Sequence, residues 1–147
     1  VLVIVAVGWA FMENNKNVLD KIQTDRAIND QTKRLTDDDM EFLKGFVQSL
    51  RDSYGVNTRI VIYKDEVLLP EIDPKYMFIG LAPAKRDVIL HFPTLMRPAL
   101  GQEFIDSLNE VFLESYEKDS WPRELKIVLT MIWSRLSALE AGQQDIQ

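Results

Sequence analysis

The 147-residue chain has no cysteine and a single histidine, His91. Without cysteine there is no disulfide staple, no thiolate nucleophile and no zinc-finger ligand set, and thiol usage says nothing about compartment. His91 stands between Leu90 and Phe92 in a strand-like run, which favours a packed or edge-exposed imidazole over a catalytic one. Cations are also in short supply, with 17 Lys and Arg against 23 Asp and Glu and a net charge of −6. That balance excludes a general nucleic-acid binder, which needs clustered cations to displace counterions, and makes anionic membranes poor partners for the soluble part. A Gly-rich phosphate cradle is missing from the "APAKRD" join at Ala82–Asp87, as is a nucleophile beside a base. Lys85 and Arg86 therefore read as a solvated turn between two core strands.

Apolar residues make up 46% of the chain, enough for one core in one domain. Val1–Met12 carry no charge, and the composition then turns polar at once. A bilayer span needs about 20 apolar residues, so this run matches the last part of a transmembrane helix or signal-anchor, with Trp9 at the interface. The expected organisation is a truncated membrane helix at 1–12, a polar tether at 13–27, a folded domain at 28–141 and a tail at 142–147. An anchor of this kind places the domain on the extracytoplasmic side.

Residues 22–35 have no apolar period and read as a linker. The first helix begins at "LTDDDMEFLKGFVQSLRDSYG". Thr36 and Asp39 have capping-box spacing, Leu35 and Met40 have hydrophobic-staple spacing, and the aspartates suit the helix dipole. Leu43, Phe46, Val47, Leu50 and Tyr54 continue the stripe to a stop at Gly55. "NTRIVIY" reads as a buried strand, and the broken "KDEVLLPEIDPK" is too short for a crossover helix. "YMFIGLAP" and "DVILHFP" follow as antiparallel neighbours. A helix with Leu100, Phe104, Ile105, Leu108, Val111 and Phe112 comes next, confined at its start by Pro93 and Pro98. Another starts at "KDSWPREL" and carries Trp121, Leu125, Val128, Leu129, Ile132, Trp133 and Leu136 to a stop at Gly142. The tryptophans share its apolar face, so core packing outweighs a ligand platform.

Several segments together resemble the TPM domain family of thylakoid, phosphatase and membrane-anchored bacterial proteins. They are Asp30, Leu35 and Thr36 before the first helix, the helix ending in "YGVNTRIVIY", the strand pair, and "FLESYEKDSWP" at Phe112–Pro122. At the positions where the family has a small residue and a glycine, this chain has Thr32 and Lys33. The resemblance implies an α/β fold, a three-layer α/β/α sandwich with a small sheet, often tethered beside one hydrophobic span. Some members are acid phosphatases and some bind calcium through loop carboxylates. The family's helix-containing insert and its Asn-Gly turn are replaced here by "KDEVLLPEIDPK" and Pro74–Tyr76, which argues against phosphatase activity. The candidate metal ligands are Asp30 with Asp65, Glu66 and Asp73 of the shortened loop, and the candidate metal is Ca2+. No catalytic residue is assigned. The expected function is a membrane-tethered, non-catalytic binding or accessory domain for an envelope or membrane protein complex. The alternative is a metal-dependent acid phosphatase built on the same acids.

Overall fold

The computed structural model describes residues 26–67 and 73–145, with side chains as far as residue 139. The expected membrane helix at 1–12, and the tether apart from Arg26 and Ala27, lie outside the described residues. Among the described residues no helix is long and apolar enough to cross a membrane.

Strands β1 (Ile28–Asp30), β2 (Thr58–Ile62), β3 (Met77–Ala82) and β4 (Asp87–His91) form one sheet in the order β1-β2-β3-β4. The first three are parallel, with Ile28 beside Ile60 and Ile60 beside Ile79, and β4 runs antiparallel with His91 beside Phe78. The expected antiparallel pair is thus present, joined by a 3-10 turn at Pro83–Lys85 that closes with Arg86 in the left-handed region (φ 52°). The strand β1 is new. It falls inside the stretch read as a linker, because three residues on a sheet edge are too few to show an alternating pattern.

Helix α1 (Asp37–Tyr54) starts where the capping box places it: Thr36 Oγ1 accepts the Asp39 N–H, and Asp39 accepts the Thr36 N–H. Gly55 ends it at φ 67°, a conformation open to glycine without steric cost. Helix α2 (Met96–Leu100) and helix α3 (Gln102–Glu117) divide what the sequence reads as one element. Gly101, at φ 90°, makes the break. Beyond it Ile105 and Leu108 are buried, while Phe104 is only partly covered. Helix α4 (Trp121–Asp145) continues through Gly142, three residues past the expected stop.

One apolar cluster joins Ile28, Ile60, Ile62, Met77, Ile79 and Leu81 on a single sheet face to buried residues of all four helices. Helix α1 covers β1 and β2, α3 covers β4, and α4 packs against α1, α2 and α3. Alternation puts Val61, Tyr63, Phe78 and Ala82 on the other face, as a separate small cluster with Val67 and Ile89 beside it. Gly80 is the gap in that face: a Cβ there would meet the Phe78 ring at 2.8 Å. The structure is a mixed α/β domain, and its described helices form one layer on one face of the sheet. A second helical layer, as a three-layer sandwich requires, is not among the described residues.

Candidate functional site

The C-terminal ends of β1, β2 and β3 lie at the same end of the sheet, where ligands collect in open α/β folds. Asp30 closes β1 there. Its carboxylate serves its own turn: Oδ1 accepts the Thr32 N–H (3.0 Å) and the Thr32 hydroxyl (2.5 Å), and Oδ2 accepts the Leu35 N–H (2.9 Å). Lys33 sits at the crest of this turn with φ 55°. Both departures from the TPM pattern therefore have a structural place, Thr32 as donor to Asp30 and Lys33 in a conformation that suits glycine.

Two of the segments that carry the TPM resemblance meet at this end. The Arg34 guanidinium pairs with Asp119 (2.8 Å) and lies 5.5 Å from the centroid of the Trp121 ring. The ion pair is exposed, but Trp121 is fully buried. Arg34 holds the Asp119 carboxyl below the usual range through that hydrogen bond and its charge. In the first turn of α1, Asp39 is 7% exposed and pairs with Lys126 of α4 at 2.6 Å. Burial pushes the Asp39 carboxyl up, yet Lys126 and the Thr36 N–H together outweigh it and leave the group below its ordinary value. Sequence reading missed Arg34, Asp119 and Lys126 as partners, although both segments that contain Arg34 and Asp119 carry motif residues.

Of the candidate metal ligands, Asp65 and Glu66 are exposed on the bend after β2. With Gln31, Tyr63 and Lys85 they line an open groove of about 460 Å³. Gln31 is tied in by its side chain, which accepts the Lys64 N–H (3.1 Å), and by its N–H, which donates to Ile62 O. Burial pushes the Tyr63 hydroxyl up, against the opposing charge of Arg59. Asp73 is elsewhere. It precedes β3, accepts the Lys75 N–H (2.9 Å), and lies at the end of the sheet where β2 begins. A five-residue strand separates the two ends, roughly 16 Å at about 3.3 Å per residue. The expected set Asp30, Asp65, Glu66 and Asp73 thus fails to converge, because Asp30 is bonded within its turn and Asp73 is across the sheet. Among the described residues no group of three or more His, Asp or Glu side chains is placed to hold a metal ion.

His91 lies on the edge strand β4, where Nδ1 is 3.0 Å from the Tyr76 carbonyl; that contact makes Nδ1–H the donor. It fastens the start of β3. Trp133 packs edge-on against Tyr54 at 5.5 Å, so both tryptophans of α4 serve packing.

No protein-family model matches the chain, and no curated protein does. Solved structures share its fold. The N-terminal domain of a protein from P. gingivalis superposes with a TM-score of 0.66 at 14% identity, over 86% of this chain and 91% of that one. The N-terminal domain of a protein from Corynebacterium glutamicum gives 0.51 at 14% identity, over 74% and 79%. The chain therefore has the α/β fold seen in N-terminal domains of two bacterial proteins.

Proposed function

We propose that this chain is a TPM-like domain that acts by binding, as a non-catalytic accessory domain of an envelope or membrane protein complex. In this reading the uncharged run Val1–Met12 tethers the domain to a membrane, and the domain stands on the extracytoplasmic side. The observation that supports binding over hydrolysis is the Asp30 carboxylate. Both of its oxygens are taken by donors of the same turn, so the aspartate that the resemblance offers for metal chemistry acts as a brace. A weak calcium site within this reading rests on Asp65 and Glu66, completed by carbonyl oxygens and water.

Stability and phosphoester turnover of the whole chain, with and without millimolar calcium, test the reading. Asp30→Ala should lower unfolding free energy by about 1–2 kcal/mol, since it strips the acceptor from partly buried donors. Neither protein should hydrolyse an aryl phosphate. Turnover by the parent chain that disappears in a folded Asp30→Ala variant would establish the phosphatase instead.

A further inference from the structure

Strand β4 stands at an edge of the sheet, and the register of its neighbours tells which of its backbone groups are already paired. The Met77 N–H donates to Asn57 O and Leu81 O accepts the Tyr63 N–H, so Met77, Ile79 and Leu81 turn their backbone groups toward β2. Phe78, Gly80 and Ala82 turn theirs toward β4, where they meet His91, Ile89 and Asp87 as hydrogen-bonded pairs. Val88 and Leu90 are left facing outward. The Val88 N–H is held by Asp87 Oδ1 (2.9 Å), whereas the Val88 C=O and both backbone groups of Leu90 have no partner among the described residues. The strand sequence "DVILH" also lacks the lysine or proline that commonly blunts an edge.

We infer that β4 pairs with β4 of a second copy of this chain, antiparallel and about a two-fold axis at Ile89, so that two sheets become one. The edge itself selects this register. Outward-facing residues must meet outward-facing residues, which confines the axis to Val88, Ile89 or Leu90. An axis at Val88 sets Leu90 against Arg86, which is left-handed and outside the strand, and an axis at Leu90 sets Val88 against Phe92, beyond its end. The axis at Ile89 uses all five residues of both strands: Val88 and Leu90 of the second copy exchange two backbone hydrogen bonds, and the symmetric pair exchanges two more. On the sheet face that carries Phe78, Ile89 then meets its own copy and Asp87 meets His91 of the second copy, so an apolar contact lies between two acid–imidazole pairs and no like charges oppose. His91 Nδ1 is engaged by Tyr76 O, which leaves Nε2 for that contact. The Val88 N–H exchanges Asp87 Oδ1 for the Leu90 carbonyl, and the carboxylate is released toward the imidazole. Five residues span roughly 17 Å at about 3.4 Å per residue, so the contact is small and the dimer transient. The inference goes beyond the accessory role and does not depend on it, because it rests on the pairing of the sheet alone.

Sedimentation equilibrium and amide hydrogen exchange of the whole chain, each followed from about 10 μM to about 1 mM, test the pairing. Reversible dimerisation is expected, with the Leu90 N–H exchanging freely in dilute protein and severalfold more slowly as the dimer fills. This measurement uses the parent chain and needs no variant to fold. Ile89→Lys and Ile89→Glu each place like charges at the axis and should weaken self-association about tenfold. Mixed in equal amounts, the two variants should associate with each other about as well as the parent does with itself, because only residue 89 opposes residue 89. Asp87→Lys, a change at an exposed position, should weaken the dimer severalfold. A chain that stays monomeric at the highest concentration overturns the inference and leaves the edge to a strand of another protein or to none. A dimer in which the Leu90 amide exchanges as fast as in the monomer also overturns it, as does one that all three variants form as readily as the parent.

Discussion

The two ends of the sheet use charge in opposite ways. At the C-terminal end of β1 three charged groups are matched within the chain: Asp30 by its own turn, Arg34 by Asp119, and Asp39 by Lys126. Where β2 begins, Arg26 and Arg59 stand exposed beside a cleft that Asn57, Thr58 and Tyr76 also line. Charge that is matched inside the chain stabilises a junction, whereas an exposed charge at a strand end contributes little to the fold.

The comparison breaks most readily at Trp121. Its side chain is fully buried where α4 begins, and Arg34 lies over its ring. Trp121→Ala should destabilise the chain by about 3–5 kcal/mol, through lost transfer energy and the cavity left behind. Denaturant midpoints measure this, and Arg59→Gln at the other end should stay within about 0.5 kcal/mol of the parent. A small loss for Trp121→Ala would mean that the motif junction is not the anchor of the fold.

Asp39 sharpens the same contrast through pH. Asp39→Ala strands a partly buried Lys126 and removes half of the capping box, so a loss of about 2–3 kcal/mol is expected at neutral pH. Folding depresses this carboxyl below its ordinary 3.8, so its contribution is complete above that value and is lost as pH falls through the folded value. The parent chain should therefore lose stability more steeply than Asp39→Ala as pH drops below about 4. Parallel curves for the two proteins would show that the ion pair is not what Asp39 contributes.

Much of the helical layer was legible because its signals are local. The capping box at Thr36 and Asp39, the Gly55 stop and the stripe from Leu43 to Leu50 each depend on neighbours a few residues apart. The strand pair was legible for the same reason, since a short join favours antiparallel neighbours. What was hidden depends on distance. Strand β1 exists by pairing with β2 some thirty residues later, and the Arg34–Asp119 pair joins residues 85 positions apart. Asp65 and Asp73 are close along the chain and a strand length apart in the fold, a separation that sequence spacing does not reveal.

The smallest effect expected lies at Lys33. Its φ of 55° is a region where an L side chain costs about 1 kcal/mol and glycine nothing, as at Gly55 and Gly101. The backbone of the Asp30 turn thus adopts a shape that Lys33 does not favour, at the position where the resemblance would place glycine. Lys33→Gly should relieve the strain, and the added freedom of the unfolded chain returns part of the gain. A net stabilisation of at most about 0.5 kcal/mol is expected, read as a raised denaturant midpoint at unchanged slope. Lys33→Ala separates backbone from charge, because it removes the ammonium group yet keeps the Cβ that makes the conformation unfavourable. Stabilisation by glycine alone would show that the turn is held against local preference by the Asp30 bonds; equal gains from both changes would assign the effect to the lost charge.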